Sequence, residues 1–246
     1  MKKSRFEQPT KTIQSYGVVL FSKELNQILL IQRKDSFGYI TCIDNKTIDF
    51  KDVAETLATI TVEEKNKILS LDWDHLWSDV MKNPSESNAN ANAPTKRYKD
   101  ECKARFEWLG IRETVQSLDC KGEKWKSENE WGLPKGRMST IDNETGQRCA
   151  LRELKEETGV TNCKLVKKIN PIKDFFVGTD GKQYTCLYYV AMIADDPPSF
   201  RGSSFPSTSN KEIRKCEWCT IDECRIKLKP STFNVVENAV TNLLNC

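Results

Sequence analysis

Glu153, Glu156 and Glu157 stand in the run Arg152-Glu153-Leu154-Lys155-Glu156-Glu157-Thr158-Gly159-Val160. An α-helix turns about 100° per residue, so positions i, i+3 and i+4 share one face. Three carboxylates on one stripe repel each other unless a cation sits among them. Oxygen donors without imidazole suit a hard ion, Mg²⁺ or Mn²⁺, rather than zinc. Arg152 reaches Glu156 at i+4 and can hold that carboxylate in position. The plainer reading is a solvated acidic face, which a lone Glu-x-x-Glu-Glu would favour. Ala150, Leu151 and Leu154 give the helix an apolar side, and Gly159 suits its C-terminal end.

Composition removes the competing chemistries. The chain has 246 residues and one histidine, His75, set between Trp73 and Trp77. A Ser-His-Asp triad or a Cys-His pair would each require that residue. Its place between two tryptophans predicts a structural role, and multi-histidine zinc chemistry is excluded. Lys+Arg minus Asp+Glu is 38 − 35 = +3, too mild to announce a nucleic-acid binder from net charge. A 38% hydrophobic and 30% charged composition describes a soluble globular chain, with one large domain or one domain carrying an insertion. Ten cysteines are scattered along it. Cys216-x2-Cys219-x4-Cys224 begins like a metal motif but lacks a second close pair, so a strand running into a turn is the simpler reading. The longest apolar run near the start, Gly17–Phe21, ends within five residues. Nothing approaches the roughly 20 apolar residues of a membrane span. Reduced thiols, a cytoplasmic setting and no membrane partner are the expectation.

The elements that must position these groups follow from periodicity. Strands are predicted at 14–22 and 26–33, forming a hairpin. Thr61-Val62-Glu63-Glu64 is a capping-box pattern, with Ile60 placed as a staple. Behind it Ile68, Leu71, Leu76, Trp77 and Val80 recur at helical spacing. A second helix is predicted from about Arg97 to Leu109, and the proline-bounded segment 83–94 reads as a loop. The domain organisation is therefore a first α/β part at 12–49, a helical insertion at 50–118 and a second α/β part at 119–246. In that last part strands are predicted at Lys164–Val177 and Gln183–Ile193, joined by Gly178-Thr179-Asp180-Gly181, and at Glu212–Cys219. A final amphipathic helix follows, with Ser231 as its N-cap.

Residues 136–160 resemble the Nudix box, the signature of metal-dependent hydrolases of nucleoside diphosphates linked to another group. Its usual form is G-x5-E-x7-R-E-U-x-E-E-x-G-U, with U aliphatic. Glu144-x7-Arg152-Glu153 fits, as do Glu156, Glu157, Gly159 and Val160. Gly136 and Glu144 are separated by two extra residues, which puts the loop and the role of Glu144 in question. The resemblance implies an α/β (α+β) fold, a mixed β-sheet sandwiched between helices. Trp131-Gly132-Leu133-Pro134-Lys135-Gly136 is similar to the segment that enters the box in mRNA-decapping members. Glu212-Ile213-Arg214-Lys215-Cys216-Glu217-Trp218 is similar to a stretch beyond the box in the eukaryotic decapping subunit, where the first glutamate is a candidate catalytic base. A helical insertion between early strands and box resembles the decapping hydrolases of large cytoplasmic DNA viruses, of the poxvirus and African swine fever virus type.

The resemblance implies attack of water on a phosphorus of a polyphosphate chain. Glu153, Glu156 and Glu157 would hold Mg²⁺ or Mn²⁺, and Glu212 or a box glutamate such as Glu156 would take the proton. Lys135 would neutralise a phosphate oxygen. Gly136, Glu144, Arg152 and Gly159 would shape the box. With capped mRNA the products would be m7GDP and 5′-monophosphate RNA, promoting mRNA turnover and translational shutoff. Phe37 and Tyr39 are candidates for stacking on the cap guanine, although core positions suit them better. Lys34, Lys211 and Arg214 are candidates for contacting RNA phosphates. Two other readings stay open: hydrolysis of diphosphoinositol or dinucleoside polyphosphates, and a non-catalytic RNA-binding Nudix module.

Overall fold

The structure is a computed structural model that describes residues 12–22, 24, 26–45, 48–81, 95–139, 143–177, 182–194 and 212–245. Contacts divide the chain into two compact units. One comprises Met1–Arg33 with Glu130–Cys246, and the other Lys34–Asn129.

The first unit is built on a mixed sheet. Its described strands are β1 (Ile13–Phe21), β2 (Ile28–Arg33), β3 (Trp131–Gly132), β4 (Lys135–Gly136), β5 (Cys163–Leu165), β6 (Ile172–Val177), β7 (Gln183–Ile193) and β8 (Ile213–Cys219). The main path runs β3-β2-β1-β7-β5, with β4 paired to β1, β6 to β7 and β8 to β2. β1 and β7 are parallel over nine paired positions, and the other ladders are antiparallel. Side chains alternate between the faces of a strand. Val18, Leu20, Leu29 and Ile31 therefore pack on one side with Ala150 and Leu154 of helix α7 (Gly146–Thr158). Val19, Phe21, Ile28 and Leu30 pack on the other with Cys224 of α8 (Ile221–Lys227) and with Phe233, Val236 and Ala239 of α9 (Pro230–Leu244). The sheet is thus covered by helices on both faces, as expected.

Two boundaries differ from the sequence reading, and the cysteine triplet agrees with it. Lys164–Val177 is two strands, β5 and β6, because the chain turns between them, with Ile169 N donating to Val166 O, before Pro171 leads into β6. The N-cap of α9 is Lys229 rather than Ser231, with Pro230 at the first helical positions, where its fixed φ and missing donor cost nothing. Cys216 and Cys219 join opposite apolar layers, so the cysteine triplet is a strand passing into α8 and not a metal knuckle. The predicted turn at 178–181 lies outside the described residues.

The helical unit is wider than the 50–118 stretch marked by composition. It holds α1 (Phe37–Asp44), a 3-10 turn (Phe50–Asp52), α2 (Val53–Leu57), α3 (Val62–Ser70), α4 (Trp73–Val80), α5 (Lys96–Trp108) and α6 (Ile111–Cys120). The capping box at Thr61 and Glu64 forms as predicted. Ile60 is buried in the core, but the position it would staple is Lys65. The helix after it stops at Leu71, because Asp72 caps a new one by accepting from His75 N at 2.9 Å. Tyr39, Ile43, Leu57, Ile68, Leu76, Phe106 and Ile111 fill the core. No described helix is long and apolar enough to cross a membrane.

Candidate active site

Helix α7 is capped at its start by Thr145, whose hydroxyl accepts from Arg148 N at 3.3 Å. At its end Gly159 takes the left-handed conformation (φ 73°), which a side chain would oppose. Between these stops, Ala150 and Leu154 turn into the sheet, with Glu157 beside them and Glu156 turned towards solvent.

Arg152 organises the carboxylates. Its Nε donates to Glu144 Oε1 at 2.8 Å and its Nη2 to Glu144 Oε2 at 3.0 Å, a two-point fork. Nη1 donates to Glu153 Oε1 at 2.7 Å and to Glu156 Oε2 at 3.0 Å. Ser139 N adds a bond to Glu144 at 2.9 Å. The Arg152 hydrogen bonds chiefly hold the Glu144 carboxyl down at about 2. With two extra residues before it, the Glu144 carboxylate still meets Arg152.

Glu153 and Glu157 sit differently. Burial raises the Glu153 carboxyl above its ordinary range, and Arg152 works against that rise. Gly136 leaves room for the Glu153 carboxylate, because a Cβ at Gly136 would lie 2.0–2.3 Å from its atoms. Glu157 is only 7% exposed. It accepts from Lys135 N at 2.9 Å, yet burial still pushes its carboxyl up to about 8. Lys135 and Arg33, at the end of β2, are the positive charges that oppose the shift. Arg33 went unassigned in the sequence, where only its position at the close of a strand marks it. Glu156 is the most open of the three, with a half-exposed side chain. Cys149 lies inside the cluster, but burial lifts its thiol to about 12, so it is an inert neighbour.

The structure brings Lys135, Gly136, Glu144, Arg152, Glu153, Glu156 and Glu157 together, with Gly159 closing the helix. Glu212 and Arg214 are exposed at the head of β8, the strand whose Cys216 thiol lies 3.7 Å from the Glu157 carbonyl. Lys211 lies outside the described residues. Lys34, Phe37 and Tyr39 belong to the helical unit. Lys34 Nζ is engaged by Asp79 at 3.0 Å, and Phe37 is half-exposed in the first turn of α1. Tyr39 is fully buried with its hydroxyl 3.2 Å from Asp79, so it offers no open ring for stacking. His75 is exposed on α4, with Nδ1 2.8 Å from Asp72.

Among the described residues, no three His, Cys, Asp or Glu side chains are grouped to hold a metal ion. The reason is local: a guanidinium nitrogen lies between Glu153 and Glu156, and Glu157 faces a backbone N–H. The chemistry of the group nonetheless fits a hard divalent cation. Its donors are all carboxylate oxygens, two of them carry raised carboxyls, and Gly136 keeps the space beside Glu153 clear.

The NUDIX domain matches this chain over residues 111–239, more than half of its length. The chain belongs to the Nudix family. That match begins within α6 and takes in the box and the sheet strands after it. Among curated relatives of this Nudix chain, an African swine fever virus protein (strain Badajoz 1971 Vero-adapted) named mRNA-decapping protein g5R is 25% identical over 223 residues, covering 85% of this chain and 84% of its own. A protein of Acanthamoeba polyphaga mimivirus named for mRNA decapping is 37% identical over 109 residues, or 44% of this chain, but that stretch spans only 29% of the mimivirus protein. The mRNA-decapping enzyme subunit 2 of Arabidopsis thaliana is 31% identical over 119 residues, 48% of this chain and 27% of the plant protein.

Proposed function

We propose that this Nudix protein hydrolyses the 5′ cap of mRNA, releasing m7GDP and 5′-monophosphate RNA. The observation that carries the cap over a smaller substrate is the extent of likeness to a decapping-named viral protein. That alignment runs over 223 residues, whereas the sheet unit has 33 + 117 = 150, so it includes much of the helical unit. A likeness confined to the box would support only a general Nudix activity.

In this reading Glu153, Glu156 and Glu157 would hold Mg²⁺ or Mn²⁺, which would supply charge neutralisation and activation of the attacking water. The other steps are tasks of this chain's own residues. Arg152 keeps Glu153 and Glu156 from springing apart and sets their oxygens towards one side. Lys135 places its ammonium where Glu157 feels it and is suited to neutralise a phosphate oxygen. Glu212, or Glu156 as the more open box carboxylate, accepts the proton of the attacking water.

Cap-labelled RNA incubated with Mg²⁺ or Mn²⁺ tests this, with wild type beside Glu157→Gln. Release of m7GDP that disappears in the variant is the expected result. Turnover of diphosphoinositol or dinucleoside polyphosphates without release from RNA would replace the cap as substrate. RNA binding with no hydrolysis of any of these would make the chain a binding module.

A further inference from the structure

Strand β6 is an edge of the sheet among the described residues. Among the described strands it pairs only with β7. Phe175 is 51% exposed, Val177 is 61% exposed, and Phe176 lies partly open and stacked on Tyr184 with ring centroids 5.3 Å apart. Sheet edges are usually protected by charge, proline or a covering element, so exposed aromatic rings on one mark a contact surface. The surrounding charge says what kind. From Lys164 to Tyr184 the chain carries five lysines against two aspartates, 5 − 2 = +3, and Asp174 is buried. Lys164, Lys167, Lys168 and Lys173 are exposed along β5, the following turn and β6.

We propose that the β6 edge binds the single-stranded RNA body of the substrate, with bases stacking on Phe175, which shares a face with Lys173, and the backbone following the lysines. Open rings give sequence-tolerant stacking surfaces, and interleaved cations track phosphate. A second copy of the chain fits less well, because pairing this edge with itself would bring like charges together. The inference rests on the capped-RNA reading, and it adds a position. The register steps from Lys135 to Gly17, to Tyr188 and to Ile172. Those three strand spacings amount to about 14 Å, and Phe175 lies about 10 Å further along β6. The edge is therefore some way from the phosphate end of the site, where it meets the RNA chain and not the cap.

Binding of an unstructured 5′-monophosphate RNA, followed by fluorescence anisotropy without divalent metal, reads this surface independently of hydrolysis. Phe175→Ala and Lys173→Glu, both at exposed positions, should each weaken binding about fivefold or more. In the cap assay they should raise KM for capped RNA by a similar factor, leaving kcat and turnover of a cap dinucleotide at wild-type levels. RNA affinity within twofold of wild type in both variants would overturn the proposal. So would a concentration-dependent dimer in sedimentation that Phe175→Ala abolishes. Wild type that binds RNA through these residues yet releases no m7GDP would remove the decapping reading and leave the surface standing.

Discussion

Glu64 and Asp79 in the helical unit and Glu157 in the sheet unit are held in opposite ways. Each unit has both kinds: burial also raises Asp35 in the first, and Arg152 holds Glu144 down in the second. In the helical unit Glu64 accepts from Ser36 N at 2.6 Å, Ser36 Oγ at 2.8 Å and Thr61 N at 2.8 Å. Asp79 collects Lys34 and Lys67, each at 3.0 Å, and Tyr39. Burial works against the Asp79 charge, but the two lysines outweigh it and hold the carboxyl below its ordinary value. In the sheet unit Glu157 is more deeply placed than Asp79 and has one backbone donor, so its carboxyl rises to about 8. A buried carboxylate saturated with donors joins elements together. One left short of donors suits a place for a cation, since the Lys135 N–H and the charges of Lys135 and Arg33 do not offset the burial of Glu157.

That contrast can be broken by mutation. The largest expected effect is Arg152→Ala, which frees Glu144, Glu153 and Glu156 at once. Hydrolysis should fall about 100-fold, and stability by about 2 kcal/mol, since bonds to charged groups are worth more than neutral ones. Kinetics and urea unfolding read the two effects. Glu64→Ala should cost about 1–3 kcal/mol, because Ser36 and Thr61 lose their acceptor. Its unfolding midpoint should drop well below that of Glu157→Gln, and equal midpoints would erase the distinction between the two carboxylates. Gly136→Ala comes next: the added methyl displaces the Glu153 carboxylate, so divalent-metal affinity should fall several-fold with little change in melting temperature.

The pH dependence sharpens the same point. Glu157 has a folded pKa of about 8 against a reference of 4.5, so its contribution to stability is full below about pH 4.5 and is lost as pH rises through 8. In metal-free buffer, melting curves from pH 5 to 9 should decline for wild type and be flatter for Glu157→Gln. Glu144 has the opposite sign: its contribution is present above about pH 4.5 and is lost as pH falls through 2. The smallest effect is expected at His75, where exposure predicts that His75→Ala changes stability by no more than about 0.5 kcal/mol.

The box was legible because its meaning lies in spacing. Glu153, Glu156 and Glu157 share a helix face whatever the rest of the chain does, and Arg152 and Gly159 carry local instructions for pairing and stopping. Spacing gave depth in part: Glu157 follows Leu154 by three and Ala150 by seven, on the apolar side, while Glu156 turns away. Contacts with Lys135 of β4 and Cys216 of β8 complete the burial. The helical unit was less readable. Phe37–Asp44 is rich in aromatic and β-branched residues that favour strands, and tertiary packing overrides them. Its readable signal was Ser36, which caps α1 by accepting from Tyr39 N. Tyr39 was weighed as a stacking residue because an aromatic near a lysine looks the same in a core and at a site. Helix α8 carried its own capping box, Thr220 with Glu223, and could have been found.

Manganese binding tests the central claim most directly. Isothermal titration of Mn²⁺ into wild type, Glu157→Gln and Asp79→Asn separates a carboxylate that awaits a cation from one already satisfied. Saturable binding that is lost in Glu157→Gln and kept in a folded Asp79→Asn is the predicted result. Binding unchanged in Glu157→Gln, or lost equally in both variants, would contradict it.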